Sequence, residues 1–403
     1  MENNSIVTGD DLLLVTGANG FIGAKVVGTL LEYGFSRVRC FVRPTSNLST
    51  LNKIIQPDKG RVELLSGNLL SRDFCRQATE GVSVIFHLAA GMEKSFAGSF
   101  LNSVVTTRNL LDAAMEDGKL KRFLNVSSFA VYSTLEMRRG QLLDETCPVE
   151  SEHVERHDPY CFAKVKQDEI VVQYGRERKL PYVIVRPGAV YGPGVRQRIT
   201  GRVGIDTFGL FLHLGGSNQI PLTYVDNCAE AIVLAGISKG VEGEVFNIVD
   251  DDLPTSRAFL RLYKRNVRAF KSIYLPYRLF YLLCCLWEKY SRWSRGQLPP
   301  AFNRRRCSAY WKGNRYSNRK LKELTGWNPR VPFGEASKRY FEYLTRIIHE
   351  SLRERTAPHL NPLPASGERR FPLSLSKGEG LPAEASAQAG QGEGSRGHTL
   401  SQI

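Results

Sequence analysis

The 403-residue chain is 42% hydrophobic and 24% charged, a globular composition that excludes a wholly disordered or fibrous protein. Its net charge of +15 is concentrated between residues 261 and 330, where 18 lysines and arginines accompany two acidic residues. Such a basic block predicts an anionic neighbour: a phosphorylated substrate, an acidic lipid surface or nucleic acid. The eight cysteines have no paired spacing and no signal segment is recognisable, which predicts reduced thiols, no metal site and a cytoplasmic protein.

Apolar strand-like segments alternate with helix-like segments over most of the chain. The predicted strands are Leu12–Thr16, Val38–Val42, Val62–Leu65, Val84–His87, Arg122–Val126, Tyr182–Arg186 and Glu244–Ile248. The clearest predicted helices are Gly23–Tyr33, Ser99–Glu116 and Tyr160–Arg178. This alternation predicts an α/β fold, with a doubly wound parallel sheet and helices on both of its faces.

A glycine-rich turn lies between the first predicted strand and the first predicted helix. In this context Gly17 permits a tight turn, Gly20 lets a diphosphate approach the backbone, and Gly23 allows close packing of helix and strand. The free N–H groups and the positive dipole end of the helix would hold the diphosphate. We therefore predict a dinucleotide site formed by Gly17, Asn19, Gly20, Phe21, Ile22 and Gly23.

The residue after the second predicted strand is Arg43, where an NAD-preferring site usually has an acid that binds the ribose hydroxyls. An arginine at this position can pair with a 2′-phosphate through two hydrogen bonds. The sequence therefore favours NADP(H) as the cofactor. A solvated Arg43, or one stacked over the adenine, would leave NAD(H) open.

Two segments in the middle of the chain carry candidate acid–base groups. Tyr160 and Lys164 lie one helical turn apart, behind a helix start at Asp158. A neighbouring lysine ammonium is expected to lower the tyrosine pKa from about 10 and so favour proton transfer near neutral pH. Upstream, Ser127 and Ser128 end an apolar strand, where a hydroxyl can donate to a substrate oxygen. The alternatives are a surface helix pair and a turn-capping serine.

The second half of the chain holds three further features. Arg196 and Arg198 follow a Gly-Pro-Gly turn, so they are predicted to clamp a substrate phosphate or carboxylate, or else to form a solvated basic loop. Leu275–Tyr290, the most apolar segment, predicts a buried or half-buried helix, with an interfacial helix on an anionic membrane surface as the alternative. Residues 351–403 are predicted to form a disordered tail, part of which resembles translated bacterial intergenic DNA and predicts a bacterial source.

These motifs occur in the order seen in the extended short-chain dehydrogenases/reductases, also called the NAD-dependent epimerase/dehydratase family, which the chain resembles over roughly residues 11–345. The matching segments are the glycine turn, His87–Ala90, Asn102, the Asn125–Tyr132 segment, Tyr160 with Lys164, and Arg186–Gly194. The resemblance implies an enzyme with a Rossmann fold and a smaller C-terminal substrate-binding region. It also implies a homodimer that pairs through the helix bearing Tyr160.

The same resemblance assigns parts of the chain and individual residues. One domain would span residues 1–350, with a cofactor part at 11–190 plus 220–250 and a substrate part at 191–219 and 251–345. Ser128, Tyr160 and Lys164 match the catalytic triad. Further cofactor contacts are expected at Asn68, Leu69, Ala89, Ala90 and Pro187, beside Tyr160 and Lys164, with a substrate contact at Tyr224.

Departures from the family pattern narrow the expected reaction. Phe129-Ala130 stand where sugar 4,6-dehydratases carry Asp-Glu, which argues against dehydration. Arg186–Ala189 lacks the amide of nucleotide-sugar epimerases and looks more like the dihydroflavonol-reductase and 3β-hydroxysteroid-dehydrogenase branches. We therefore predict an NAD(P)-dependent oxidoreductase acting on a secondary alcohol or ketone. The alternatives are an NAD-dependent nucleotide-sugar epimerase and a non-catalytic cofactor- or RNA-binding member, although the Tyr/Lys pair argues against the latter and a nucleic-acid partner is not favoured.

Overall fold

The computed structural model describes residues 4–91, 93–195, 199–207, 209–295, 297–298, 300 and 302–356. In chain order the strands are β1 (Leu13–Thr16), β2 (Val38–Val42), β3 (Val62–Ser66), β4 (Val84–His87), β5 (Arg122–Val126), β6 (Leu142–Leu143), β7 (Tyr182–Pro187), β8 (Ala189–Tyr191), β9 (Gly204–Thr207), β10 (Leu210–His213), β11 (Leu222–Tyr224), β12 (Val245–Ile248), β13 (Ser272–Tyr274) and β14 (Arg315–Tyr316).

The α-helices, again in chain order, are α1 (Phe21–Glu32), α2 (Ser49–Ile55), α3 (Arg72–Thr79), α4 (Phe96–Ser99), α5 (Thr106–Glu116), α6 (Pro159–Arg178), α7 (Val225–Ile237), α8 (Ser256–Asn266), α9 (Tyr277–Trp293), α10 (Arg304–Trp311), α11 (Arg319–Thr325) and α12 (Phe333–Thr356). Short 3₁₀ segments occupy Gln56–Arg61 and Phe129–Val131, and a π-helical turn occupies Phe100–Val105.

All seven predicted strands join one parallel sheet in the order β12-β7-β5-β4-β1-β2-β3. Their bounds match the predictions to within one residue, so the predicted doubly wound sheet is confirmed. The strand order reverses between β1 and β4, and in such sheets the ligand crevice opens at the carboxyl ends of the strands beside this point.

Each face of the sheet is covered by its own set of helices. Leu13 and Val15 pack in a core cluster with side chains of α1 and α7. Leu14 lies in a second cluster with side chains of α3, α5 and α6. Neighbouring residues of β1 therefore face opposite helix layers, which is why this strand is buried along its whole length and shows no alternation.

The predicted helix Ser99–Glu116 is interrupted by the π-helical turn. The Thr106 hydroxyl donates to the Asn102 carbonyl at 3.0 Å, and the Thr107 hydroxyl donates to the Ser103 carbonyl at 2.6 Å. Such side-chain bonds compete with the backbone ladder and bend helices. The sequence pattern over residues 99–116 is that of one continuous helix, so it did not predict the π-helical turn.

The C-terminal part adds a second core and three small sheets. Strands β9, β10 and β13 form one sheet, while β8 pairs with β11 and β6 pairs with β14. The described residues up to Arg355 belong to one compact unit. Helix α12 continues to Thr356, so the prediction of a tail from residue 351 is wrong for its first six residues. These six residues continue the helix of the preceding residues, which is why the helix extends past the predicted boundary. Residues 357–403 lie outside the described residues.

Helix α9 is the predicted apolar helix, and it is half-buried. Phe280 and Cys284 face the core, while Leu282 and Leu286 face outward and are exposed. Across the described ranges, none of the helices combines the length and hydropathy needed to span a membrane.

Candidate functional site

The turn between β1 and α1 leaves no room for side chains. Gly17 has a φ of 69°, a left-handed conformation that favours glycine. A Cβ at Gly17 would lie 3.0 Å from the Ala89 nitrogen, and a Cβ at Gly23 would overlap the Gly17 carbonyl oxygen. Gly17 thus forms the predicted tight turn, and Gly23 allows the predicted close packing.

The N-terminus of α1 opens at this turn without a side-chain cap. Gly20 precedes the helix and provides no capping oxygen. Asn19, Phe21 and Ile22 surround the opening and are half-buried. The first N–H groups of a helix have no partner within the helix, and the helix dipole adds positive charge there, so this end suits an anion.

The other predicted cofactor residues lie at the same edge of the sheet. Arg43 follows β2, Asn68 and Leu69 follow β3, Ala89 and Ala90 follow β4, and Pro187 ends β7. The Ala89 N–H donates to the Thr16 hydroxyl at 3.3 Å, which joins the end of β4 to the end of β1. The structure thus brings all of these residues to the carboxyl edge beside the glycine turn.

Arg43 is exposed at the end of β2. Its backbone N–H donates to the Ser46 hydroxyl at 3.2 Å. Its guanidinium makes no ion pair with any residue that the structure describes. The group is therefore available to an anionic ligand at this edge.

The three predicted catalytic residues come from β5 and α6. Asp158 caps α6 by accepting from the Cys161 N–H at 3.2 Å, which confirms the predicted helix start. Ser128 follows β5, and its hydroxyl accepts from the Ala130 N–H at 3.1 Å. The same hydroxyl lies close enough to Tyr160 to favour its phenolate form. Ser128 therefore caps the next turn and lies near the phenol.

The pKa of Tyr160 is raised, whereas the sequence predicted that it would be lowered. Burial raises the pKa of Tyr160 to about 12, and the nearby Ser128 hydroxyl only partly offsets this. The neighbouring Tyr310 and Asp158 raise the pKa further. The expectation of a lowered pKa is wrong for this geometry, because desolvation of the phenolate outweighs stabilisation by nearby groups.

Lys164 is buried, with 4% of its surface exposed. Its ammonium donates to the Val126 carbonyl oxygen at 2.7 Å, which fixes it at the end of β5. Burial lowers the pKa of Lys164 to about 8, although the charge of Asp168 acts in the opposite direction. With this pKa the lysine remains mostly protonated at pH 7.

A buried polar network below this site was not predicted from the sequence. Asp168 accepts from the Asn125 amide at 3.0 Å, from the Ser127 hydroxyl at 2.9 Å and from the Arg186 guanidinium at 3.1 Å. Burial raises the pKa of Asp168, and the Arg186 charge partly offsets the rise. The network joins β5, α6 and β7, and so it fixes the elements that carry Ser128. A sequence signal existed, since Asp168 lies one turn after Lys164 on the same helix face.

A second buried chain of hydrogen bonds links the glycine turn to α6. The His87 imidazole contacts the Thr16 hydroxyl at 2.8 Å and the Thr107 hydroxyl at 2.9 Å. Gln167 on α6 donates to the same Thr107 hydroxyl at 2.7 Å. Burial lowers the pKa of His87 to about 3, aided by the charge of Lys164, so the imidazole is neutral near pH 7.

Aromatic residues of the C-terminal part lie near Tyr160, in a segment where the sequence interleaves basic and aromatic residues. Tyr310 on α10 lies close enough to Tyr160 to disfavour its phenolate form. The Arg202 guanidinium lies over the Tyr310 ring at 5.5 Å and donates to the Ala309 carbonyl at 3.0 Å. Arg202 also lies close enough to Tyr316 to favour its phenolate form, although burial raises the pKa of Tyr316. The basic–aromatic spacing near residue 310 was the available signal.

Of the three predicted substrate residues, the structure describes only Tyr224. Arg196 and Arg198 lie outside the described residues. Tyr224 is only 2% exposed and packs against Tyr191, with ring centroids 5.7 Å apart. Its hydroxyl forms a hydrogen bond with Arg339, and within the described ranges no recorded contact joins it to Tyr160. Tyr224 therefore lies in the C-terminal core.

Known proteins with similar sequences are enzymes that act on sugar nucleotides or sterols. A trifunctional UDP-glucose 4,6-dehydratase/UDP-4-keto-6-deoxy-D-glucose 3,5-epimerase/UDP-4-keto-L-rhamnose-reductase of Arabidopsis thaliana is 29% identical over 258 residues, which is 59% of this chain and 36% of that protein. The chain thus spans about a third of the length of that relative. The decarboxylating sterol-4-alpha-carboxylate 3-dehydrogenase of Mus musculus is 26% identical over 338 residues, 81% of this chain and 88% of that one.

The fold has close counterparts among solved structures. The crystal structure of gox2253 matches with a TM-score of 0.68 and 25% identity, covering 84% of this chain and 99% of the other. The family described as the NAD dependent epimerase/dehydratase family matches residues 13–249. This match covers more than half of the chain, and the similarity to a sterol dehydrogenase agrees with the branch expected from the sequence. The chain belongs to the NAD-dependent epimerase/dehydratase family, the extended short-chain dehydrogenases/reductases.

Proposed function

We propose that the chain is an NADP(H)-dependent oxidoreductase that interconverts a ketone and a secondary alcohol. One observation carries the proposal: Ser128, which follows β5, lies close enough to the Tyr160 phenol to favour its phenolate form, and Tyr160 shares α6 with the buried Lys164. A phenol and a second hydroxyl therefore lie near each other, one helical turn from a buried lysine, at the sheet edge that also bears the glycine turn. This is the set of groups needed to protonate a carbonyl oxygen while its carbon is reduced.

The residues at the edge fit a dinucleotide. A Cβ at Gly17 or Gly23 would collide with backbone, so the turn leaves its own backbone accessible, and α1 opens there without a side-chain cap. These groups would hold the diphosphate. Asn68 and Leu69 would border the adenine, and Tyr160 with Lys164 would border the ribose beside the nicotinamide.

The preference for NADP(H) rests on Arg43. Its exposed guanidinium, which has no acidic partner in the described part of the chain, stands at the end of β2 where the adenosine ribose would lie. A 2′-phosphate would supply the missing counter-charge. We propose Arg43 as the residue that distinguishes NADPH from NADH.

The acid–base chemistry follows from the side chains of the site. A bound nicotinamide nucleotide would supply or accept the hydride. Tyr160 would pass its phenolic proton to the ketone oxygen as the C–H bond forms, giving the alcohol and a phenolate, and alcohol oxidation would reverse this. Ser128 would donate a hydrogen bond to the same oxygen. The Lys164 ammonium, one turn along α6, would hold the ribose beside the nicotinamide.

The proposal is tested by the consumption of NADPH with a panel of sugar-nucleotide, sterol-like and flavonoid-like ketones. With the ketone that reacts best, Tyr160→Phe should lower kcat by about 10²–10⁴-fold and leave the Kd for NADPH unchanged. Tyr174→Phe is the matched control, because Tyr174 lies on the same helix and donates to Asp112 at 2.7 Å on the surface. Full activity in Tyr160→Phe would refute the assignment.

A further inference from the structure

Helix α9 has two apolar faces, of which the fold uses one. Phe280 and Cys284 point inward, and the Phe280 ring meets Trp311 of α10 with centroids 5.3 Å apart. Cys307 of α10 and Leu214, which follows β10, complete this small core. The inward face therefore attaches α9 to the fold. The apolar side chains of the outward face take no part in this packing.

The outward face is a continuous stripe of large apolar side chains. Leu282 and Leu286 are each 54% exposed and Trp293 is 78% exposed. The stripe follows the i, i+3, i+4 spacing of one helix face and consists of Leu279, Leu282, Leu283, Leu286, Tyr290 and Trp293. Eleven of the eighteen large exposed apolar side chains recorded for the described residues lie between 273 and 302. A concentration of this kind marks an interaction surface.

Positive charge runs along one border of the stripe. At 100° per residue, Arg278, Lys289 and Arg292 lie between the outward and the inward faces of α9. Arg292 pairs with Glu288 at 2.8 Å. Arg278, Lys289 and the following Arg295 are exposed and form no ion pair with any residue that the structure describes. The surface thus combines exposed apolar area with uncompensated positive charge.

We propose that α9 docks on an anionic lipid bilayer, lying in the plane of the headgroups with its outward stripe in the acyl boundary. Leucines and tryptophan on one face with basic residues beside them are the pattern of an interfacial helix, and long basic side chains can reach phosphate groups while their stems stay in apolar surroundings. A second copy of the chain would cover the leucines, but it would also bring the like charges of the two α9 borders together. The bilayer satisfies both the apolar stripe and the charge.

The test is flotation of the full-length protein with vesicles of phosphatidylcholine alone or mixed with phosphatidylglycerol. The wild-type chain should float with the anionic vesicles, less so at high salt. Leu282→Ser/Leu286→Ser should weaken the binding about tenfold or more. Arg278→Gln/Lys289→Gln should weaken binding to anionic vesicles about tenfold or more at low salt.

The matched control is Leu64→Ser/Leu324→Ser, which removes two leucines with 43% and 42% exposure from elsewhere on the surface and should float like wild type. Circular dichroism of each variant checks folding. Failure of the wild-type chain to float with anionic vesicles would overturn the proposal, and so would undiminished flotation of Leu282→Ser/Leu286→Ser. Sedimentation velocity provides the third outcome: a wild-type dimer that becomes a monomer in Leu282→Ser/Leu286→Ser would assign the stripe to a second copy.

Discussion

Replacement of Asp168 by alanine tests whether the buried network holds the catalytic elements together. The carboxylate accepts hydrogen bonds from Asn125, Ser127 and Arg186, at 2.9–3.1 Å for the closest contact of each. Both members of the Asp168–Arg186 pair have 7% exposed side chains. Asp168→Ala would leave the Arg186 guanidinium with no acidic partner in the interior. It would also leave the Asn125 amide and the Ser127 hydroxyl without this acceptor.

The size of the expected loss in unfolding free energy follows from the burial of the Asp168–Arg186 pair. Removal of one partner of a buried ion pair costs about 3–5 kcal/mol of unfolding free energy, because the remaining charge stays desolvated. For a unit of this size, a loss of about 4 kcal/mol corresponds to a fall in Tm of about 5 °C. Asp112→Ala is the matched control: Asp112 pairs with Arg178 at 2.9 Å on the surface, so its loss should cost about 1 kcal/mol or less.

The assay is equilibrium unfolding in urea, monitored by circular dichroism and repeated by calorimetry. Asp168→Ala should have a lower midpoint than Asp112→Ala and wild type, with an unchanged slope. A loss for Asp168→Ala no larger than that for Asp112→Ala would refute the reasoning, because it would mean that the buried guanidinium readily finds other partners or water.

Three further predictions concern the cofactor edge and Lys164. Gly23→Ala should abolish tight binding in an NADPH titration, because its Cβ would overlap the Gly17 carbonyl oxygen, whereas Gly60→Ala, with no atom within 4 Å, should bind normally. Arg43→Gln should weaken NADPH binding about tenfold and leave the Kd for NADH unchanged, and equal losses for both nucleotides would contradict its proposed role. The pKa of Lys164 is lowered to about 8 in the folded state, so the unfolded chain binds more protons above that pH. Unfolding free energy measured between about pH 8 and pH 10 should therefore rise more steeply in wild type than in Lys164→Met, by up to about 1.4 kcal/mol per pH unit, and parallel curves would argue against the lowered pKa.

The sheet and the glycine turn could be predicted because their signals are local. Most strands of the central sheet are buried on both faces, so they appear in the sequence as short apolar segments between helical periods. Gly17 and Gly23 are required by contacts within one turn and its neighbouring strand. The N-cap at Asp158 was likewise predicted from adjacent residues.

The features of the site that could not be predicted depend on contacts between distant parts of the chain. The pKa of Tyr160 depends on how deeply α6 is buried and on Tyr310, which is 150 residues away in the sequence. The pairing of Asp168 with Arg186 requires the packing of α6 against β7. Helix α9 is apolar on both faces, so its sequence alone does not tell which face packs; Trp311 decides this by contacting Phe280.

The most direct measurement on the central claim is the identity and affinity of the nicotinamide nucleotide. Freshly purified protein would be denatured, any released nucleotide identified by mass, and emptied protein titrated with NADPH and NADH. We expect little retained nucleotide and tighter binding of NADPH, as for a net reductase that exchanges its cofactor in each turnover. NAD retained in stoichiometric amount would contradict it and favour an epimerase that recycles a captive cofactor.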